Sequence, residues 1–490
     1  MAITRRDFLI GSGAVVATSA IGSSGGCAGE RLPDESYDLC IIGSGFAGTF
    51  LGLRALDHGL RTVIVEAGSS PQRGGSPDSL EVSFKFRNSG LQSYPVNGTR
   101  AIAVGGASRH WGGVTTRLWP EDFRMKSEFG RLVDWPITFE DLLSYYCEAE
   151  RLLLTRGFTV VPGAEPTRNC PYPNVKGGDY RDPGIRIEGK DVAYFPLAHS
   201  RRGGNFAIRL FDQEIPNFIQ SNGATLVENR QVINIVTLDG KTVDYVDLRG
   251  PAGRPEKLRA KVFVIAAGVV ESCRLLLASR SSWFPDGLGN RHRQLGHYFN
   301  VHPSLQTKFD LRPGLDLPQG HHRTCSLNHD YRREGINACQ YQLDVLAAGT
   351  ARWKAQPEIE PNYDNYVTLH GTESDGFGVP IPEIHFGYTA QDQRTLERSY
   401  ATLEAAKRKL AAAGGTVSDH DRWRAHPAGT CRMGFDETTG VVDRNNRVFG
   451  LDNLFVSGAC TFPTSGTANP TNTVVAMTLR LADHIHGLVA

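Results

Sequence analysis

Gly43-Ser44-Gly45-Phe46-Ala47-Gly48 is a complete G-x-G-x-x-G, a spacing that turns backbone N–H groups toward a diphosphate. Gly43 allows the tight turn, Gly45 lets a pyrophosphate approach the main chain, and Gly48 lets a helix pack closely on a strand. The flanks suit this role. Tyr37 to Ile42 is an apolar-rich strand, a helical stretch runs to about His58, and a second strand from Thr62 ends at Glu66. Glu66 is thereby placed to accept hydrogen bonds from an adenosine ribose. The fingerprint does not separate NAD from FAD, because both present the same ADP half to the turn. A later strand, Val262 to Gly268, ends in small residues before a helical stretch from Val270 to Leu277, a pattern that favours FAD.

Two further segments carry chemistry. The first is Val104-Gly105-Gly106-Ala107-Ser108-Arg109-His110-Trp111-Gly112-Gly113. The second runs from His426-Pro427-Ala428-Gly429-Thr430-Cys431-Arg432-Met433-Gly434, through Asn445 to Gly450 and Asn453 to Val456, to Ala468-Asn469-Pro470-Thr471. With these the chain resembles the glucose-methanol-choline (GMC) oxidoreductase superfamily. Within it the likeness is to pyranose oxidases and bacterial sugar dehydrogenases, which share H-W after a double glycine, R-M-G after a histidine, and A-N-P-T near the end. The likeness covers both ends of the chain and only loosely its middle.

The resemblance implies an α/β protein (α+β overall), with a Rossmann-like FAD-binding domain and a discontinuous substrate domain containing an antiparallel sheet. It implies His426 and Asn469 as the catalytic pair beside flavin N5. It also implies cofactor contacts at Gly43, Gly45, Phe46, Ala47, Gly48, Glu66, Gly106, Ser108, His110, Trp111, Gly112, Gly113, Val232, Ala267, Gly458, Ala459, Pro470 and Thr471. In pyranose oxidases the His of the H-W pair is bonded to the flavin. His110 therefore has two readings, covalent attachment and non-covalent contact. The sequence departs from that pattern at Arg109, where a small hydroxyl residue is usual, and at Gly112, where those oxidases carry Thr. The second change tilts the expectation toward a dehydrogenase.

The chemistry of a carbinol explains the pair. A hydride leaves CH–OH readily only as the O–H proton departs, and imidazole, with an unperturbed pKa of about 6.5, is a suitable neutral base. An amide beside it orients the same oxygen without adding a second titrating group. After Pro470, the spacing of Val474, Met477, Leu481 and Ile485 predicts a helix from Thr471 to about His486. Its N-terminal dipole is expected to stabilise negative charge on the reduced flavin.

The elements that must position these residues are discontinuous. The FAD-binding domain is expected from residues 36–125, 223–300 and 422–490, and the substrate domain from 126–222 and 301–421. Gln306 to Leu311 and Glu383 to Thr389 read as strands of a sheet roofing the flavin. Pro162 to Asp191, rich in Gly, Pro, Asp and Arg, reads either as a loop over the site or as an inert insertion.

Residues 1–30 stand outside the fold. Arg5-Arg6 precedes an apolar run of about 14 residues, too short to span a bilayer, and reads as a twin-arginine signal. A protein exported folded by that route to the periplasm or cell surface can capture its cofactor first. Cys27 offers a lipid site and hence membrane association, although the usual branched aliphatic residue three positions earlier is absent. The chain has 490 residues and balances 53 Lys plus Arg against 52 Asp plus Glu, so no electrostatic case exists for nucleic acid. Nine cysteines include no C-x-x-C pair, and no metal site is expected. An oxidising compartment permits a disulfide, with partners that the sequence leaves open. The leading expectation is oxidation of a sugar or glycoside to a keto-sugar or lactone, with oxygen, quinone or cytochrome as acceptor. Oxidation of a sterol, aryl or aliphatic alcohol is the alternative, and a flavoprotein performing no net redox chemistry is the third.

Overall fold

The computed structural model describes residues 37–70, 85–157, 166–175, 186–191, 196–198, 219, 221–315, 320–347, 349–413, 417–418 and 424–489. Arg5, Arg6 and Cys27 lie outside these residues, as does much of the segment from Pro162 to Asp191.

Strand β1 (Tyr37–Ile42) is buried along its whole length and leads through Gly43 into helix α1 (Phe46–Asp57), then strand β2 (Thr62–Val65). Strand β3 (Thr225–Val227) lies beside β2, and strand β4 (Ala260–Ile265) lies on the other side of β1 and runs into helix α2 (Gly268–Ala278). Strands buried on both faces read as unbroken apolar runs, which is why Cys40-Ile41-Ile42 and Val262-Phe263-Val264-Ile265 show no polar alternation.

The middle of the chain uses the other strand chemistry. Strand β5 (Asn300–Pro303) precedes a six-stranded sheet built on β6 (Leu305–Leu311), β7 (Gly320–Asn328), β8 (Cys339–Ala347) and β9 (Thr350–Pro357). Strands β6 to β9 are joined antiparallel. Helix α3 (Ala390–Leu410) starts at a capping box, in which Asp392 N–H donates to Thr389 Oγ1 and Thr389 N–H donates to Asp392 Oδ2. It covers one face of the sheet, where Tyr341, Leu343, Val345, Trp353 and Ala355 form a core with Leu403 and Leu410. Alternation sends Gln340, Gln342, Asp344, Arg352, Lys354 and Gln356 to the opposite face.

Strand β10 (Arg424–Ala428) pairs with β5, and strand β11 (Leu454–Val456) completes the first sheet in the order β11-β4-β1-β2-β3, all parallel. Helix α4 (Thr471–Val489) packs against α1, and Asp483 binds Arg54 through two oxygens, at 2.6 and 2.9 Å. The fold is thus the mixed α/β architecture expected, but the strand read at Glu383 to Thr389 is Pro380–His385 and pairs in a separate three-stranded sheet rather than in the sheet of β6. Cys147 and Cys170 form a disulfide, the pairing that spacing alone left open.

Candidate functional site

One cavity of about 900 Å³ lies between the two sheets. Its dinucleotide end is built by the turn after β1. Gly43 has φ +103°, and a Cβ there would stand 2.6 Å from the carbonyl oxygen of Ala266 on the neighbouring strand. A Cβ on Gly48 would fall 1.9 Å from the Gly43 oxygen, so α1 lies directly on the turn. Gly45 differs, because its nearest neighbour would be 4.0 Å away and the residue borders the cavity. Three helix starts meet the same space, with Phe46 and Ala47 from α1, Ala267 and Gly268 from α2, and Pro470 and Thr471 from α4. Each brings unpaired N–H groups and the positive end of a helix dipole.

Glu66 borders the cavity and is buried. It accepts from Ser44 N–H at 3.0 Å, Ser44 Oγ–H at 2.7 Å and Gly68 N–H at 2.9 Å. Burial pushes its pKa up, and these bonds oppose the shift. A carboxylate only accepts, so at the edge of the cavity it is matched to a ligand hydroxyl that donates. Ser44 Oγ also accepts from Gly105 N–H at 3.0 Å, which joins the first glycine motif to the second. From Gly105 the chain enters a short 3-10 helix, Gly106–His110. Trp111 then meets the ring of Phe46 edge to face at 4.8 Å.

Gly106, Ser108, Trp111, Gly112, Val232, Gly458 and Ala459 border the cavity, whereas Gly48 and Gly113 do not. The side chain of His110 lies outside the described residues. Sequence reasoning missed Arg100, which borders the cavity with Nε and Nη2 buried and without hydrogen-bond partners. The indole N–H of Trp111 is likewise buried and unpaired. Buried donors without acceptors are costly in themselves, and a dinucleotide would satisfy them. Glycine turn, helix starts, buried cation and acidic residue together fit FAD.

The reactive end centres on β10. Its register against β5 shifts between Asn300 and His302, and His426 sits in the bulge with φ +53°. Positive φ in a non-glycine residue is a strained conformation of order 1 kcal/mol or more, the kind found where a side chain is held for use. Gly429, with φ +79°, lets the chain pass Tyr298, whose oxygen would lie 2.1 Å from a Cβ there. His426 and Asn469 both border the cavity, with Nε2 of the imidazole 3.1 Å from Nδ2 of the amide. Gln340 Nε2 donates to Asn469 Oδ1 at 3.1 Å, and this orients the amide with its NH2 toward His426.

That bond starts a polar ladder along the cavity-facing side of β8 and β9. Gln340 and Gln342 both donate to Gln356 Oε1, at 3.2 and 2.7 Å. Lys354 and Arg352 share Asp344 Oδ2, at 3.3 and 2.6 Å. Gln306, Gln342, Lys354, Arg352 and Gln356 all border the cavity. Sequence reasoning did not single out this wall. The signal was the strict alternation in Gln340-Tyr341-Gln342-Leu343-Asp344-Val345 and Arg352-Trp353-Lys354-Ala355-Gln356, which marks a half-buried sheet with a polar face.

Residues 361–478, which include His426 and Asn469, match the family model described as GMC oxidoreductase. Over these residues the chain is similar to the GMC oxidoreductases. Among curated proteins it is 25% identical to 2-methyl-1,2-propanediol dehydrogenase of Mycolicibacterium austroafricanum, over 92% of this chain and 95% of that one. It is 23% identical to the fructose dehydrogenase large subunit of Gluconobacter japonicus, over 92% and 98%. In structure it is similar to pyridoxine 4-oxidase from Mesorbium loti, with a TM-score of 0.63 and 20% identity over 92% of this chain and 99% of that one.

Proposed function

We propose that the protein is a GMC-type, FAD-dependent dehydrogenase that oxidises a CH–OH group of a sugar or glycoside, with His426 as the base and Asn469 as its partner. The observation that carries the reading is the polar wall that begins at Asn469 and continues through Gln340, Gln356, Gln342 and Lys354. A polyhydroxylated substrate exchanges hydrogen bonds with such a wall, whereas a sterol or aryl alcohol would leave its groups desolvated and unpaired. Fructose dehydrogenase among the relatives supports the same choice. The diol dehydrogenase relative supports the CH–OH chemistry without the sugar.

The residues that would hold the cofactor are the turn from Gly43 to Gly48, Glu66 for the ribose, Arg100 for the diphosphate, and Gly106, Ser108, Trp111 and Gly112 with Val232, Ala267, Gly458 and Ala459 along its length. When bound, FAD supplies the hydride acceptor. His426 Nε2 takes the hydroxyl proton, so that the O–H bond breaks as the N–H bond forms. Asn469 Nδ2–H donates to the same oxygen as it gains carbonyl character. The N-terminus of α4, at Pro470 and Thr471, contributes positive potential to the site.

The deciding experiment is anaerobic. Purified yellow protein is mixed with sugars, glycosides, sterols and aryl alcohols while the visible flavin band is followed, and air is then admitted. Bleaching by sugars alone is expected, with slow recovery in air. Bleaching only by sterols or aryl alcohols would sink the sugar assignment, and fast recovery would make the enzyme an oxidase. Precipitation in acid reads the bond at His110: a yellow pellet made colourless by His110→Ala assigns covalent attachment.

Lys354 yields a pH prediction. Burial pulls its pKa down to about 8, against the opposing charge of Asp344 and with help from Arg352. The ammonium is therefore present at pH 7 and lost as pH rises through about 8. Because hydrogen bonds from a charged donor contribute about 1.5–3 kcal/mol, KM should rise roughly tenfold across that interval while kcat holds. Lys354→Met should have the high KM at every pH, and a wild-type KM that is flat from pH 7 to 9 would remove Lys354 from substrate binding.

We place the enzyme outside the cytoplasm, exported by the twin-arginine route through Arg5 and Arg6. The Cys147–Cys170 disulfide suits an oxidising compartment. Arg5→Lys with Arg6→Lys should retain yellow, active protein in the cytoplasm, and undiminished release by osmotic shock would refute the route.

A further inference from the structure

A neutral imidazole is a base at one ring nitrogen only, and nothing in the identity of His426 says which. A second histidine decides. His302 stands on β5 across the bulge, 1% exposed, behind the cavity wall. Its Nε2 lies 2.8 Å from the carbonyl oxygen of Gly466, which can only accept, so this nitrogen carries a proton. Its Nδ1 lies 3.1 Å from Nδ1 of His426. Burial lowers the pKa of His302 to about 4, although the bond to Gly466 and the charge of Asp122 favour the proton. In the neutral ring Nδ1 is bare and accepts, and the hydrogen between the two rings belongs to His426.

Asn469 makes the same choice from the other side. Its Oδ1 is taken by Gln340, so its NH2 faces His426 Nε2 and needs a lone pair there. In the opposite tautomer, an Nε2–H of His426 would meet the amide NH2 while two bare Nδ1 atoms faced each other. Both contacts would be repulsive in a buried site.

We infer that His302 is a positioning residue for the proposed oxidation, accepting the Nδ1 proton of His426 and so holding Nε2 as the base. The inference rests on the base role proposed for His426. With substrate bound, the Asn469 N–H that faced Nε2 turns to the substrate oxygen and frees the Nε2 lone pair for the hydroxyl proton, and the resulting imidazolium still donates from Nδ1 to His302. The proton goes no further, and His302 stays neutral.

The test uses the full chain with its cofactor, labelled with 15N-histidine. Ring nitrogen signals of His426 are identified by their loss in His426→Asn. Wild-type protein should show Nδ1 protonated and Nε2 bare. In His302→Phe, similar in shape but unable to accept, the signals should move toward the other tautomer. There kcat should fall about 10²-fold with little change in KM. His302→Asn, whose Oδ1 accepts near the position of Nδ1, should recover at least about tenfold of that loss. Melting temperature and flavin content separate a folding defect from lost positioning. Protonated Nε2 in the wild type overturns the inference whether or not the variants fold. So does an unchanged tautomer with unchanged kcat in His302→Phe, or a folded Asn variant no better than Phe. A wild type that oxidises no alcohol yet shows the tautomer overturns the reading of the reaction and upholds the pairing of the histidines.

Discussion

Replacing His426 by Asn should lower kcat about 10³-fold while leaving flavin content, melting temperature and KM close to wild type, a loss within the range for removing a general base. Asn is the informative substitution because of the backbone. Residue 426 has φ +53° in the bulge of β10, a region that Asn tolerates and Ala does not. Ala would add strain to the loss of the base and blur the result. An amide can still hydrogen-bond to Asn469 but cannot take a proton at neutral pH. Stopped-flow bleaching under argon reads the step directly, and a reduction rate within about threefold of wild type would take His426 out of proton transfer, since a base contributes at least about 10²-fold.

Single methyl groups in the glycine turn should separate the two functions of that motif. Gly48→Ala puts a carbon 1.9 Å from the Gly43 carbonyl oxygen, backbone against backbone, so α1 must move off β1. Overpacking of that kind costs about 1–3 kcal/mol or more, and the variant should melt earlier and purify colourless. Gly45→Ala meets nothing closer than 4.0 Å in the protein itself, yet it fills the side of the turn that borders the cavity. It should keep the melting temperature of the cofactor-free wild type while losing flavin. Differential scanning fluorimetry with and without added FAD distinguishes the two. A yellow Gly45→Ala protein with wild-type affinity for FAD would mean that the cofactor does not approach the turn at residue 45.

Much of the dinucleotide half was legible beforehand, because its constraints are local. A tight turn with φ +103°, a helix resting on that turn, and strands buried on both faces each leave a mark within a few residues, as glycines or unbroken apolar runs. The reactive half was legible only through resemblance. His426 and Asn469 are 43 residues apart, and their 3.1 Å contact depends on β10 and the start of α4 arriving at one place. The substrate wall did leave a local mark, the alternation along β8 and β9, but alternation tells only that one face is polar.

By itself, then, the sequence determined where a diphosphate-binding turn must form, which strands lie inside the molecule, and that the central strands have one polar face. Tertiary structure decided everything that depends on elements distant along the chain meeting in space. It joined Cys147 to Cys170 and aimed the polar face of β8 and β9 at Asn469. It also brought His302 behind His426, across 124 residues of chain. The reason is the range of the forces. Backbone sterics and burial periodicity act on neighbours in sequence, whereas the identity of a hydrogen-bond partner is settled only when packing brings the two groups within about 3 Å.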